Sequence, residues 1–137
     1  MADYLFAGVA LVVAAHVAIA VPNERAPLKG VSAVRVANYG VPSKLIQSRD
    51  EVGAIVDELG ELRKKPWRRG DTKMRCYSTI VLLDGNRQVA MFRVRPDVVV
   101  ERPVEKGDSS YTLRIGDTDL PVLRKVLAGI PASKNCD

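Results

Sequence analysis

The densest group of side chains able to do chemistry is a basic cluster between residues 63 and 75, which also holds the only tryptophan. Clustered Lys and Arg concentrate positive potential, and an indole among them can stack on a cation or lie at a membrane interface. Such a cluster suits an acidic protein, anionic lipid headgroups or nucleic acid. The alternative is a solvated helix end, where cations complement the helix dipole. The candidate binding residues are Arg63, Lys64, Lys65, Trp67, Arg68, Arg69, Lys73 and Arg75.

Catalytic residue types are sparse in the charged part of the chain. The single histidine, His16, lies in an apolar N-terminal stretch, so the rest cannot build a Ser-His-Asp triad or a His-ligated zinc site. Asp117 and Asp119 precede a helix start and are expected to cap it. No P-loop, G-x-G-x-x-G, G-x-S-x-G or H-E-x-x-H motif is present. We therefore expect a protein that is not an enzyme, with no cofactor and no metal.

Cys76 and Cys136 are the only two cysteines. Without C-x-x-C spacing they indicate neither a zinc knuckle nor a thioredoxin motif. They can form a disulfide in an oxidising compartment, whereas the cytoplasm would keep both thiols reduced. Alternation places Cys76 on the Met74 and Ile80 side of a predicted strand, in or beside the core. We predict a Cys76–Cys136 disulfide on the condition that the protein is exported.

Residues 4–21 carry no formal charge and are followed by Pro22. The stretch is long enough for a membrane-spanning helix, and Ala18-Ile19-Ala20 fits the small-residue pattern of a signal-peptide cleavage site. No Lys or Arg precedes it, which is atypical of a signal peptide. The basic residues that follow would place the body in the cytoplasm if the segment stays as an anchor. We expect an exported, periplasmic or membrane-anchored protein, with a cytoplasmic domain on one transmembrane helix as the alternative.

The 137-residue chain, with a formal net charge of +5, is long enough for one domain behind this segment. We divide it into a signal peptide or transmembrane anchor (1–22), a linker with an edge strand (23–47), a folded domain (48–131) and a tail (132–137).

Ser48 and Glu51 form a capping box before apolar residues at helical spacing, which predicts a helix over 49–64. Leu120-Pro121 begins a second amphipathic helix that ends near Gly129.

Four strands are predicted between the helices, at residues 73–83, 87–95, 98–100 and 109–115. Asp84-Gly85-Asn86 is typical of a hairpin turn, and short turns exclude the long crossovers of a parallel sheet. The predicted fold class is α+β: an antiparallel sheet of about four strands, two amphipathic helices on one face, and a preceding N-terminal apolar helix.

In layout, a compact helix-and-sheet domain behind an export segment, the chain resembles small exported bacterial proteins of the inhibitor or immunity type. The resemblance implies a small exported or membrane-tethered module that binds another protein. The charge and the tryptophan of the basic cluster make this cluster the candidate contact surface. The alternative is a permanently membrane-anchored structural subunit of a larger complex, with the cluster at anionic lipid headgroups. Nucleic acid is disfavoured as a partner, because the apolar residues 4–21 indicate membrane attachment or export.

Overall fold

The structure, a computed structural model, describes residues 25–136. The predictions for residues 1–22, including the apolar N-terminal helix, lie outside these residues and are not shown. Within the described range, no helix is long and apolar enough to cross a membrane. The strands are β1 (Ala33–Ala37), β2 (Lys44–Ile46), β3 (Arg68–Arg69), β4 (Ser78–Asp84), β5 (Arg87–Arg95), β6 (Val98–Arg102) and β7 (Tyr111–Arg114). The helices are α1 (Arg49–Arg63) and α2 (Pro121–Ala128).

The strands form one antiparallel sheet of seven, in the order β2-β1-β4-β5-β6-β7-β3. The prediction of about four strands is therefore wrong. β2 and β3 were missed because three and two residues are too few to show an alternating pattern. β1, predicted as an edge strand, lies between β2 and β4. Both edges of the described sheet are thus very short strands, which limits pairing with other chains.

The two faces of the sheet differ, and we call them the first and second face. Register places Val36, Ile80 and Phe92 side by side on the first face, where they are fully buried. Both helices pack there, and their apolar side chains belong to the same cluster as those of the sheet: Val52, Ile55, Leu59 and Leu62 from α1, and Leu123 from α2. Burying this apolar surface stabilises the domain by roughly 25 cal/mol per Å².

The two helices begin differently. Ser48 accepts a hydrogen bond from the Glu51 backbone N–H at 3.5 Å, as the capping box predicts. The prediction that Asp117 and Asp119 cap α2 is wrong, because its N-cap residue is Leu120, which makes no side-chain cap bond. The Glu58 carboxylate on α1 accepts the free N–H groups of Val122 and Leu123 instead, at 2.9 and 2.8 Å.

The segment that connects β3 to β4 crosses one face of the sheet. Because β3 pairs with β7 at one edge and β4 lies beyond β5 and β6, residues 70–77 must pass over the intervening strands. We call this segment the strap. The predicted strand over 73–83 is wrong for its first part, since β4 begins at Ser78. Cys76 has a left-handed backbone with φ of 57°, which no extended strand allows.

Candidate functional site

The predicted basic cluster divides into an interior part and a surface part. Arg63 and Trp67 belong to the interior: the Trp67 indole N–H donates to the Leu62 carbonyl oxygen at 2.8 Å, and the ring packs against the main core. Arg63 forms a bidentate pair with Glu101, with Nη2–Oε2 at 2.5 Å and Nε–Oε1 at 3.1 Å. Neither side chain therefore forms part of a surface for contact with a partner.

Glu101 also binds Arg25, whose Nη1 atom lies 3.1 Å from Oε1. The Arg25 guanidinium lies between the rings of Trp67 and Tyr111, 4.8 and 4.6 Å from their centres. Side-chain exposures of 9% for Arg25 and 6% for Glu101 make this a desolvated cluster, where guanidinium–carboxylate and cation–π contacts are strong. Its role is to join the N-terminal end of the described chain to β6 and β7.

Lys64 and Lys65 lie after α1 and are engaged in ion pairs at the surface. Lys64 contacts Glu61 at 2.9 Å, and Lys65 contacts Asp119 at 3.0 Å. The pKa of Asp119 is lowered from its ordinary value of 3.8, first because the Gly116 backbone N–H donates to it and then because the Lys65 ammonium binds it. These two lysines therefore neutralise local carboxylates.

The remaining members of the cluster lie at the far edge of the sheet and in the strap. Arg68 and Arg69 are the two exposed residues of β3. Register with Thr112 places Arg68 on the second face, and register with Tyr111 places Arg69 on the first. Lys73 and Arg75 are exposed in the strap. The structure thus places Arg68 on the second face at the sheet edge, and Lys73 and Arg75 in the strap that crosses this face.

Arginines from five strands share this second face. One row across the sheet joins Arg35, Val81, Met91 and Arg102, and the next joins Thr79, Arg93, Val100, Thr112 and Arg68. A third row joins Arg95, Val98 and Arg114. The arginines of the face are Arg35, Arg68, Arg93, Arg95, Arg102 and Arg114. Among the apolar side chains between them, Val81, Val98 and Val100 are buried and Met91 is half-buried, so guanidinium groups dominate the exposed surface of this face.

The strap is bound to the second face along its length. Thr112 donates its hydroxyl to the Gly70 carbonyl oxygen at 2.7 Å and accepts from the Thr72 hydroxyl at 3.1 Å. Asp71 pairs with Arg102, and Arg95 donates to the Cys76 carbonyl oxygen at 3.3 Å. These bonds hold the strap over β5, β6 and β7, and they account for the burial of Val100 and Thr112.

The strap ends at the predicted disulfide, which is confirmed. Cys76 and Cys136 are bonded, with Cα atoms 5.7 Å apart, so the strap is joined to the C-terminal tail. The bond lies at the second face and not in the core position expected from the predicted strand. Next to it, Arg93 lies 4.6 Å from the centre of the Tyr77 ring. Its Nε atom is buried and has no hydrogen-bond partner among the described residues.

Charge is distributed unevenly between the two layers of the domain. The helix layer carries five carboxylates on α1, namely Asp50, Glu51, Asp57, Glu58 and Glu61. On the second face and its strap, the carboxylates that pair with arginines are Asp71 and Asp97. Arg35 and Arg68 form no ion pair with any residue in the described range. An acidic partner would therefore meet the second face in preference to the helix layer.

Alternation within the predicted strands could have revealed the arginine face. Arg93 and Arg95 alternate with Phe92 and Val94, and Arg114 follows Leu113, so arginine recurs on the side opposite the core. This period-two signal is spread over separate strands, whereas the predicted basic cluster rests on one dense run of basic residues.

Nothing in residues 25–136 brings three metal-ligating side chains together. No protein-family model, curated protein or solved structure matches this chain.

Proposed function

We propose that this protein is a non-enzymatic binding domain, exported or tethered at a membrane, that recognises an acidic protein through its second sheet face. The observation that carries the proposal is the convergence of six arginines from five strands on that face. Arginine forks bind carboxylates bidentately and are enriched at protein interfaces. A rigid sheet holds them in place, which lowers the conformational cost of binding.

The chemistry of the face favours a protein over a lipid surface. Its apolar residues Val81, Val98 and Val100 are buried among the arginines, and Leu45 at the β2 edge is its large exposed apolar side chain in the described range. Membrane-docking surfaces insert apolar or aromatic groups, and this face presents guanidinium groups instead. The second candidate, a permanently anchored subunit at lipid headgroups, is retained as an outcome of the experiment below.

Two observations support a binding role without catalysis. Residues 25–136 contain no histidine to serve as a general base. Ser78 donates its hydroxyl to Asn38 at 2.6 Å, and the Ser110 hydroxyl accepts from Arg102 at 3.1 Å. The hydroxyls of Ser78 and Ser110 are thus used in structural hydrogen bonds.

Export or tethering is supported by the apolar residues 4–21 and by the disulfide, because disulfides persist in oxidising compartments. Mass spectrometry of the native protein tests this part of the proposal. A mass that begins near Val21 supports export with cleavage, and an intact Met1 with a formed disulfide supports an anchor with the body outside the cytoplasm. Two free thiols in the native protein would overturn the export proposal.

Charge reversal tests the binding surface. The variant Arg35→Glu/Arg68→Glu changes two second-face arginines that form no described ion pair. The matched control Lys64→Glu/Lys125→Glu makes the same change of net charge at exposed positions away from that face. Poly-L-glutamate and vesicles containing an anionic lipid are the probes, each titrated at low and at physiological salt.

We expect the second-face variant to bind poly-L-glutamate at least tenfold more weakly than the native protein, which corresponds to about 1.4 kcal/mol. The control should stay within twofold. Equal weakening by both variants would mean that only net charge matters and would overturn the proposed surface. Tight binding to the vesicles without binding to poly-L-glutamate would overturn the protein partner in favour of the anchored subunit.

A further inference from the structure

A groove lies between the strap and the second face, at the end of the sheet where β5 turns into β6. Its volume is about 630 Å³. Lys73 and Arg75 line it from the strap, and Arg95 and Arg114 line it from β5 and β7. Asp97, in the turn between β5 and β6, is the one carboxylate among the lining residues that the structure describes.

The four cations of this groove are poorly neutralised by the described part of the chain. Lys73 and Arg75 make no ion pair with any described residue. Arg95 donates to the Cys76 carbonyl oxygen, which carries no formal charge. Arg114 is 3.6 Å from Asp97 while 80% of its side chain remains exposed, so this pair is weak. Counted over residues 25–136, the groove therefore holds an excess of positive charge that a bound anion would neutralise.

We propose that this groove binds a phosphate monoester. A phosphate monoester carries a charge of roughly −1.5 to −2 at neutral pH and three strong acceptor oxygens. A single carboxylate can form a bidentate pair with one guanidinium group. A phosphate monoester has three acceptor oxygens, which can be shared by guanidinium groups from both walls of the groove. The apolar part of the lining, Met74, Val98 and the disulfide, provides a contact for the organic group of the ester.

The walls of the groove are held in place before any ligand binds. The strap is bonded to Thr112 and Arg102 at one end and is covalently joined to the tail through Cys76 at the other. Preorganised cations lose little conformational freedom on binding, so most of the electrostatic gain is retained. This site is separate from Arg35 and Arg68, and its existence does not depend on an acidic protein partner.

Phenyl phosphate is the probe, titrated by calorimetry into the full chain in a neutral detergent with its disulfide intact. Phenol tests the apolar group alone, and benzoate tests a single negative charge on the same ring. We expect saturable binding of phenyl phosphate that is at least tenfold tighter than that of benzoate, with none detected for phenol. The variant Arg95→Gln/Arg114→Gln should weaken it at least tenfold. Arg49→Gln/Lys125→Gln, which removes the same charge at exposed positions on the two helices, should change it less than twofold.

Vesicles distinguish the two sources of a phosphate monoester. Binding to vesicles with phosphatidic acid, but not to phosphatidylcholine alone, and competed by free phenyl phosphate, would assign a lipid headgroup. Binding of phenyl phosphate without vesicle binding would assign a soluble ester. The proposal is overturned if neither form binds saturably, or if Arg95→Gln/Arg114→Gln binds as the native protein does. The acidic-protein proposal is tested at Arg35 and Arg68, so either proposal can fail alone.

Discussion

The Glu101 carboxylate is shared by two arginines that come from distant parts of the chain. Arg25 precedes β1, and Arg63 is the last residue of α1. Both guanidinium groups are largely removed from water, so their charges depend on this one carboxylate for compensation. Removing one partner of a buried ion pair costs far more than the pair itself contributes, because an uncompensated charge stays behind.

The variant Glu101→Gln should therefore lower the free energy of unfolding by about 3 kcal/mol. Urea denaturation followed by Trp67 fluorescence measures this, since the indole lies against Arg25. Glu105→Gln is the matched control, because Glu105 is exposed in the loop between β6 and β7 and should change stability by less than about 0.5 kcal/mol. Similar losses in the two variants would contradict a structural role for the Glu101 cluster.

The titration of Asp119 is displaced in the folded protein. Its folded-state pKa lies below the ordinary value of 3.8, so its negative charge contributes stability that is fully present above that value. This contribution is lost as the pH falls through the lowered pKa. Asp119→Asn should be less stable than the native protein at pH 7, and the difference should shrink below pH 4. Thermal unfolding at several pH values measures it, and a difference independent of pH would contradict the assignment.

At the scale of elements, α1 provides the cap for α2. The two oxygens of Glu58 each accept a backbone N–H from the first turn of α2, which has no capping side chain of its own. Carboxylates at a helix N-terminus also benefit from its dipole. The packing of α2 against α1 thus satisfies backbone N–H groups of α2 and also buries apolar side chains.

Glu58→Gln leaves one acceptor oxygen, removes the charge and should lower the free energy of unfolding by about 1–2 kcal/mol. Glu61→Gln on the same helix is the control, because Glu61 is 73% exposed and contacts only Lys64 among the described ion pairs. Chemical denaturation of both variants gives the comparison. If Glu58→Gln unfolds at the native midpoint, the cap contributes nothing.

The sequence predicted the longer elements better than the short ones. The range of β5 and the start of α1 were predicted correctly, because long periodic patterns and a capping box are local signals. The strap was not predicted, since Met74 and Cys76 continue the alternation of β4 although the backbone turns left-handed at Cys76. The arginine face was missed for a related reason. Alternation places Arg93, Arg95 and Arg114 opposite the core within their own strands, but the neighbours of each arginine depend on register between strands, which no local pattern determines.

At the scale of the whole molecule, the disulfide closes a loop of 60 residues and joins the strap to the tail after α2. The chain-entropy model assigns about 4 kcal/mol to closure of such a loop. Reduction, or the variant Cys76→Ser/Cys136→Ser, should lower the free energy of unfolding by up to that amount. Urea curves with and without dithiothreitol measure it, and the reductant should have no effect on the double variant. Identical curves for oxidised and reduced native protein would contradict this prediction.

The crossing of the strap also determines the order in which the domain can assemble. Short turns join β4 to β5 and β5 to β6, and a loop over residues 103–110 joins β6 to β7, so these four strands can pair as soon as they are made. In contrast, 40 residues separate Thr72 from its partner Thr112. β3 has no strand to pair with until β7 is in place, and the strap has no surface to cross until β5 and β6 are formed. Pulse-labelled hydrogen exchange should protect the amides of β4–β7 first, and earlier protection of β3 would refute this order. A chain synthesised from its N-terminus must therefore leave β3 and the strap without their partners until β7, at Tyr111–Arg114, has been released.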